Sequence, residues 1–200
     1  MTPSRSLLLA AFPPELAGFA EAPPEGWVTA CTGVGAITAA VETARLLSSL
    51  RPTRVLFLGT CGAYGETPAV GEAVWATEAV ATSVEEAEGR AVRPGIERTR
   101  WEATWTDALP FPAATVAVPP AVTRTEAGAR ALGALAGVEH LELTGVFAAC
   151  AAAGVPCGAV LAVANRVGPS ASEEWRRNHA QVSRGLAQAI RDMRLPGARS

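Results

Sequence analysis

The sequence predicts a three-layer α/β fold, in which helices cover both faces of a central mixed and twisted sheet. Apolar runs of strand length, each bounded by turn residues, alternate along the chain with longer Ala-rich stretches of helical period. Of the 200 residues, 49% are hydrophobic and 18% are charged, a balance typical of a folded chain rather than a disordered one. Because no internal repeat or linker interrupts it, we expect residues 1–200 to form a single domain.

The apolar runs predict the strands, and the periodic stretches predict the helices. We predict strands over residues 7–12, 27–31, 54–58, 73–80, 114–118 and 158–164. We predict helices over residues 36–49, 126–135, 142–153 and 172–191. Residues 84–112 show weak periodicity and many charges, so we expect a long excursion on the surface there.

The last predicted helix carries signals at both of its ends. A serine hydroxyl in Ser170-Ala171-Ser172 can cap free N–H groups, and Glu173 and Glu174 suit the positive end of the helix dipole. Pro196-Gly197 then predicts that the helix has ended.

Charge and composition narrow the choice of partners. The 17 basic side chains are all arginines and are spread along the chain, so neither nucleic acid nor an anionic membrane surface is an expected partner. The apolar stretch at residues 7–12 is too short to span a membrane, meets Pro13-Pro14 at once and lacks a cleavage site, which favours a first strand in a cytoplasmic protein. The four cysteines lie in apolar runs without C-x-x-C spacing, so we expect core residues and no metal site.

Candidate ligand-binding residues follow the predicted strands, because ligands of open α/β sheets bind beyond the carboxyl ends of strands. These residues lie in Pro13-Pro14-Glu15 and at 58–63, 119–123 and 165–169. Taken alone, Gly59-Thr60-Cys61-Gly62 predicts a tight turn that lets the backbone approach a ligand. Glu142 is a further candidate at the head of an apolar helix, where a carboxylate also suits the helix dipole.

Thr32-Gly33-Val34-Gly35 allows a helix to begin close to the sheet and could hold an anion on free N–H groups. The segment lacks the third glycine of the dinucleotide-binding pattern, and no acidic residue follows where the ribose of NAD would be recognised. We therefore expect neither NAD nor another cofactor.

These motifs resemble those of the nucleoside phosphorylase and nucleosidase superfamily over most of the chain. The family's T-G-x-G and helix resemble residues 32–47, and its strand ending in G-[ST]-x-G resembles residues 56–62. Its V-G-[DE] and following strand resemble residues 70–77. Its M-E ribose motif, with a small-residue helix and a V-P behind it, resembles Leu141-Glu142 through Val155-Pro156.

Within the superfamily, residues 164–169 together with Trp175 are most similar to futalosine hydrolases, which have S-N-x-V-G and a downstream tryptophan. The resemblance implies a phosphorylase/hydrolase-like fold and an enzyme that cleaves the N-glycosidic bond of a nucleoside. Futalosine hydrolases release hypoxanthine from futalosine in a route to menaquinone, and the resemblance implies the same reaction here.

The resemblance also implies roles for individual residues. Glu15 and Asn165 are the implied catalytic residues, with Glu15 holding and deprotonating the attacking water. The residues implied to bind the ribose are Glu142, Leu141 and Thr60, and those implied to contact the base are Cys61, Gly62, Val122 and Thr123.

Two departures from the superfamily's pattern bear on the reaction. Asn165 stands where the nucleosidases have a catalytic aspartate; an amide cannot protonate N7 of adenine, but its NH2 group can donate to N7 or to a 6-oxo group. Asn165 therefore favours a 6-oxopurine such as hypoxanthine over methylthioadenosine. Phe57 and residues 11–16 stand where the phosphorylases have phosphate-binding arginines, so water is the expected nucleophile.

Three other functions remain open from the sequence. They are a phosphorylase of 6-oxopurine nucleosides, a methylthioadenosine/S-adenosylhomocysteine nucleosidase, and a non-catalytic module that binds nucleosides. The presence of both Glu15 and Glu142 speaks against the last.

The family forms oligomers, so a homo-oligomer, dimer or larger, is expected. Trp101, Trp105 and Phe111 are candidates for its interface. His140 and Arg124 are candidates for contacting the benzoate-bearing tail of futalosine, although both residue types are more often exposed to solvent.

Overall fold

The computed structural model describes residues 5–19, 22–105, 109–193 and 195. The strands are Ser6–Ala10 (β1), Trp27–Cys31 (β2), Arg54–Ala63 (β3), Ala73–Ala81 (β4), Arg100–Glu102 (β5), Ala113–Val118 (β6), Val138–Glu139 (β7) and Cys157–Arg166 (β8). The α-helices are Ala36–Leu50 (α1), Val84–Ala87 (α2), Glu126–Gly133 (α3), Leu143–Ala153 (α4) and Ala171–Asp192 (α5). A 3₁₀ helix, Pro13–Phe19, follows β1.

These strands all belong to one mixed sheet. β1 lies between β2 and β3 in parallel pairs, and β8 lies between β3, to which it is parallel, and β4, to which it is antiparallel. β4 also pairs with β6, β6 pairs with β7, and β7 pairs with the end of β3. The strands β3, β8, β4, β6 and β7 therefore form a closed ring, with β1, β2 and β5 outside it.

Helices cover both faces of the sheet, so the predicted three-layer α/β fold with a mixed sheet is confirmed. On one face, side chains of α1 and α4, such as Leu47 and Phe147, pack against alternate residues of the strands, such as Phe57. On the other face, the 3₁₀ helix and α5 contribute Phe19 and Ile190 to a second buried cluster. The strands β1, β3 and β8 are buried on both faces, which explains their continuous apolar sequences.

The helices begin and end within two residues of the predicted bounds, but the two central strands are longer than predicted. β3 continues to Ala63 and β8 to Arg166. The prediction of a tight turn at residues 59–62 is therefore wrong. These residues stay extended because β8 pairs with them along one edge and β7 pairs with Gly62 on the other, with a register shift between Cys61 and Gly62.

Short elements account for the segments without periodicity. The excursion predicted over residues 84–112 contains α2 and β5, and β5 pairs with β4. Trp105 is not available for an interface between subunits, because it is buried and its ring stacks on Trp27 at 6.0 Å and meets Trp75 edge-on at 6.3 Å. Trp101 and Phe111 are partly buried.

The N-terminus of α5 differs from the prediction. Ser170 is the N-cap residue, but its side chain makes no capping hydrogen bond; its backbone carbonyl accepts from the N–H groups of Glu173 and Glu174 instead. The proposed stop signal Pro196-Gly197 lies outside the described residues. Among the helices that the structure describes, none is long and apolar enough to cross a membrane.

A glycine sets the distance between α1 and α4. A methyl group on Gly145 would overlap the carbonyl oxygen of Ala36 and would lie 2.9 Å from the backbone nitrogen of Ala40. The close contact brings the first turn of α4 against the start of α1, where the N–H of Gly35 donates to Glu142 Oε1 at 2.8 Å. The helix contact therefore positions a carboxylate as well as stabilising the fold.

We expect Gly145→Ala to destabilise the protein by about 1–3 kcal/mol, the usual effect of overpacking a buried contact. Gly185→Ala is the matched control, because Gly185 lies in the interior of α5 and a methyl group there would have no other atom within 4 Å. This control is expected to stabilise by up to about 1 kcal/mol through helix propensity. Urea unfolding of the three proteins measures both effects; equal changes for both variants would contradict the packing argument.

Candidate active site

A cavity of about 540 Å³ opens where β3, β7 and β8 end. Its wall combines the ends of these strands with the 3₁₀ helix, the residues before α4 and the first turns of α5. The residues that line it are Ala11, Phe12, Glu15, Val34, Thr60, Cys61, Gly62, Val122, Glu139, His140, Leu141, Glu142, Asn165, Ala171, Ser172, Trp175 and Arg176. Its size suits a small-molecule ligand.

The cavity brings together all the predicted site residues except Thr123. The side chain of Thr123 is buried beside it, and its hydroxyl has no hydrogen-bond partner among the described residues. Its backbone N–H points toward the cavity wall, where it donates to Glu139 Oε1 at 3.0 Å. That Thr123 lies along the base stays a prediction.

Glu15 is buried in the 3₁₀ helix, although a glutamate after two prolines would ordinarily lie at the surface. Its Oε1 accepts from the N–H of Thr60 at 2.8 Å and from the hydroxyl of Thr60 at 2.9 Å. Its Oε2 accepts from the N–H of Ala11 at 3.2 Å. The carboxylate is thus held rigidly against β3 by neutral donors.

Burial raises the pKa of Glu15 to about 7, and the negative charge of Glu142 adds to this rise. The donors on Thr60 and Ala11 oppose it, because they stabilise the ionised form. A carboxyl group that ionises near neutral pH is suited to take a proton from a bound water molecule.

Trp175 connects α5 to this carboxylate. Its indole N–H donates to the Thr60 hydroxyl at 3.0 Å, and that hydroxyl in turn donates to Glu15. The indole ring also stacks on His179 with centroids 4.2 Å apart and lies 5.8 Å from the ring of Phe12. The helix therefore fixes the orientation of Thr60 through one aromatic side chain.

Glu142 is buried at the N-terminus of α4, yet it does not cap its own helix. Its Oε1 accepts instead from the N–H of Gly35, the N-cap residue of α1. Gly33 and Gly35 have φ angles of 79° and 90°, which favour glycine and let Thr32-Gly33-Val34-Gly35 turn that N–H toward the site. The anion that this glycine-containing turn holds is a side chain of the protein itself.

His140 is buried beside Glu142 rather than exposed to solvent as its residue type suggests. Its Nδ1 accepts from the backbone N–H of Glu142 at 3.2 Å and lies 3.3 Å from Glu142 Oε2. Burial lowers the pKa of His140, so the ring is neutral at pH 7 and does not offset the charge of Glu142. Arg124, the other candidate for a tail contact, is exposed and does not line the cavity.

Asn165 lies near the end of β8, in register with Gly62 of β3. Its Nδ2 donates to the carbonyl of Arg166 at 2.9 Å. A methyl group on Gly62 would lie 2.8 Å from this Nδ2 atom, so the glycine makes room for the amide. Cys61, also in the cavity wall, has a thiol whose pKa is raised by burial, and it stays neutral.

Glu139 is a buried carboxylate of the cavity that sequence reasoning missed. Its Oε2 accepts from the hydroxyl of Tyr64 at 2.9 Å, and its Oε1 accepts from Thr123. The signal available in the sequence was an acidic residue in an apolar run three residues before Glu142, and nothing local distinguishes such a residue from an exposed one.

Among the residues that line the cavity there is one guanidinium, at its rim and away from Phe57 and residues 11–16, where the phosphorylases have their arginines. Arg176, in the first turns of α5, is exposed, and its Nε donates to the carbonyl of Ser172 at 3.0 Å. Phe57 is fully buried and packs edge-on against His140 with centroids 5.3 Å apart. The wall behind His140 is therefore apolar at that point.

The arrangement combines a rigid carboxyl group with a pKa near 7, a second carboxylate beside a neutral histidine, and an amide donor. Such a set can position and deprotonate water, stabilise positive charge on a sugar, and bind a polar edge of a flat base. None of these groups requires a bound metal ion or cofactor to act.

Solved structures of two kinds of nucleosidase share the fold. The 5′-methylthioadenosine/S-adenosylhomocysteine nucleosidase of Helicobacter pylori with butyl-thio-DADMe-Immucillin-A superposes with a TM-score of 0.85 at 13% identity, covering 96% of this chain and 98% of that one. A futalosine hydrolase mutant of H. pylori gives 0.82 at 14% identity, covering 95% and 98%. The methylthioadenosine/S-adenosylhomocysteine nucleosidase of Neisseria meningitidis gives 0.79 at 15%, covering 94% and 96%.

At these low identities, the structural likeness shows the fold alone. A comparison with curated protein sequences finds no match. The sequence profile described as the phosphorylase superfamily matches residues 25–193. Because this match spans most of the chain and includes Thr60, Glu142 and Asn165, the protein belongs to the phosphorylase superfamily.

Proposed function

We propose that this protein hydrolyses the N-glycosidic bond of futalosine, releasing hypoxanthine and dehypoxanthine futalosine, as a step of menaquinone biosynthesis. The observation that carries the proposal is the convergence of Glu15, Glu142 and Asn165 on one cavity. These residues are separated by 127 and 23 positions along the chain, so only the fold brings them together.

Glu15 supplies the base for hydrolysis. A water molecule held by its carboxylate attacks C1′ of the ribose, the C1′–N9 bond breaks, and the bonding electrons go to the purine. The water proton passes to Glu15, and the departing purine takes a proton from solvent, so the products are the free sugar and the neutral base. The pKa of about 7 leaves about half of Glu15 ionised at neutral pH and ready to accept that proton.

Glu142 stabilises the sugar. Its carboxylate can accept hydrogen bonds from ribose hydroxyls, and its charge favours the oxocarbenium-like transition state. The neutral His140 beside it and the apolar Phe57 behind it do not offset that charge. Leu141 lines the same wall and provides apolar contact for the sugar.

Asn165 favours a base with a 6-oxo group. Its NH2 group is a donor, and the 6-oxo group and N7 of hypoxanthine are both acceptors. The amide cannot protonate N7 of adenine, so the fast cleavage of an adenine nucleoside that depends on such a proton is disfavoured. This supports futalosine over methylthioadenosine as the substrate.

Water is favoured over phosphate because the ionised form of Glu15 would repel an anion and the cavity-lining residues on the buried side include no arginine. Phosphate next to Glu15 and Glu142 would add negative charge to a cavity that three carboxyl groups already line, those of Glu15, Glu139 and Glu142. Arg176 at the rim is better placed for an anionic group that reaches out of the cavity, such as the benzoate of futalosine.

The purified protein is expected to release hypoxanthine from futalosine in buffer without phosphate. Inosine and methylthioadenosine, each with and without phosphate, are the comparison substrates, and mass spectrometry of the released bases is the measurement. Hydrolysis of futalosine should exceed cleavage of methylthioadenosine, because the amide of Asn165 suits a 6-oxo group. Release that depends on phosphate would identify a phosphorylase, and release of adenine alone would identify a methylthioadenosine-type nucleosidase.

The pKa of Glu15 predicts how activity depends on pH. Because only the ionised carboxylate accepts a proton, kcat/KM should fall about tenfold per pH unit below about pH 7 and level off above it. Glu15→Gln should lose activity by about two or more orders of magnitude at every pH while still binding the nucleoside. A pH profile for the wild-type protein that is flat from about pH 5 to 8 would remove Glu15 from the mechanism.

The same pKa predicts the stability of this variant relative to the wild-type protein. A carboxyl whose pKa is raised in the folded state stabilises that state below pH about 4.5 and loses this contribution as pH rises to about 7. Glutamine does not titrate. The free energy of unfolding of Glu15→Gln minus that of the wild type should therefore rise by roughly 3 kcal/mol between about pH 4.5 and 8. The exposed Glu102→Gln is the control and should show no such trend.

We also infer that the protein forms a homo-oligomer through the exposed face of α1. Three exposed apolar side chains lie here at helical spacing, and the first of them, Val34, also lines the cavity. They are Val34, Ile37 and Val41, which are 61%, 83% and 66% exposed. A second copy packed on this face would bury these side chains and narrow the mouth of the cavity at Val34.

Light scattering of the purified protein should give a mass of at least twice 20.5 kDa at micromolar concentration. Ile37→Glu should dissociate the oligomer, because it places a charge in the apolar face, whereas Val92→Glu changes an apolar residue that is 93% exposed elsewhere and should not. A wild-type protein that is monomeric at this concentration would refute the inference.

A further inference from the structure

We propose that Glu139 determines the specificity of the site for the base, by accepting a hydrogen bond from N1–H of a 6-oxopurine and repelling the N1 lone pair of adenine. The assignment rests on the proposed function in one respect, that the cavity binds a purine nucleoside. It adds a residue that faces the base from the side opposite Asn165.

The sheet places Glu139 and Asn165 on either side of one glycine. Gly62 of β3 is in register with Glu139 of β7 on one side and with Asn165 of β8 on the other. Residues in register on neighbouring strands direct their side chains to the same face of a sheet, and two strand spacings separate the outer residues by about 10 Å. Gly62 has no side chain, and the amide nitrogen of Asn165 lies 2.8 Å from where its Cβ atom would be, so the amide reaches over Gly62 toward the Glu139 side of the cavity.

Glu139 is held in place and has acceptor capacity to spare. The Tyr64 hydroxyl donates to its Oε2, and the Thr123 N–H donates to its Oε1. Burial and the nearby Glu139 carboxylate raise the pKa of Tyr64, so its hydroxyl stays protonated and remains a donor. A carboxylate has about four lone-pair positions, and the two donors use two of them.

The two side chains match the edge of a 6-oxopurine and not that of adenine. Hypoxanthine has acceptors at O6 and N7 and a donor at N1–H, which suit an amide NH2 on one side and a carboxylate on the other. Adenine has a lone pair at N1 and an NH2 group at C6, so the carboxylate meets an acceptor and the amide meets a donor. When a buried donor faces a donor of the ligand, or a buried acceptor faces an acceptor, binding of that ligand is strongly disfavoured.

Binding of free bases tests the assignment independently of hydrolysis. Calorimetry with the wild-type protein should show that hypoxanthine binds at least about tenfold more tightly than both adenine and 1-methylhypoxanthine, which lacks the N1–H. Glu139→Gln should weaken hypoxanthine about 10- to 100-fold and leave adenine unchanged or tighter, because the glutamine NH2 can donate to N1. Glu102→Gln, a carboxylate-to-amide change on exposed β5, should alter neither.

Three results would overturn the assignment. They are equal affinity of the wild-type protein for hypoxanthine and 1-methylhypoxanthine, an equal loss for hypoxanthine and adenine in Glu139→Gln, and no loss in that variant. The comparison of the two bases on the wild-type protein stands even where the variant does not fold. Failure to cleave futalosine, together with the expected selectivity for hypoxanthine, would refute the proposed reaction and leave the role of Glu139 intact.

Discussion

The end of β3 is paired on both of its edges, with β8 on one side and β7 on the other, and the site depends on this double pairing. Without β7, Gly62 and Ala63 would have a free edge and could turn away from the sheet, as their sequence suggests. With it, Gly62 stays in the sheet between Glu139 and Asn165, and Thr60, two residues earlier on the same strand, presents both its N–H and its hydroxyl to Glu15. The closed ring of strands therefore converts a glycine-rich segment into a rigid part of the cavity wall.

Burial of negative charge is the second physical constraint on the molecule. Glu15, Glu139 and Glu142 all line one cavity, and among the residues that line its buried side there is no arginine. Backbone N–H groups and hydroxyls satisfy their oxygens instead, from Ala11, Thr60, Gly35, Thr123 and Tyr64. Neutral donors keep the carboxylates in place while leaving their charge available to a ligand, and the raised pKa of Glu15 is the energetic consequence.

This arrangement sets stability against function. A cation placed next to Glu142 would stabilise the folded state and would also cancel the field that, in the proposed reaction, favours a positively charged sugar. His140 occupies that place as a buried neutral ring, which fills the space, accepts the N–H of Glu142 and adds no charge. The pairing of a neutral imidazole with a carboxylate thus preserves the negative potential of this wall of the cavity.

The sequence by itself determined the fold class and the course of most helices and strands, because each depends on local period or turn chemistry. Eight of the nine residues predicted for the site line one cavity, and their roles stay predictions. The sequence misjudged the end of β3, the cap of α5 and the exposure of His140 and Trp105, and it gave no indication of Glu139. Each of these depends on strands and side chains that are distant along the chain. Only the tertiary structure decides such features, because they are properties of the packed molecule. They are the pairing at the end of β3, the burial of Glu139 and the close approach of Gly145 to α1.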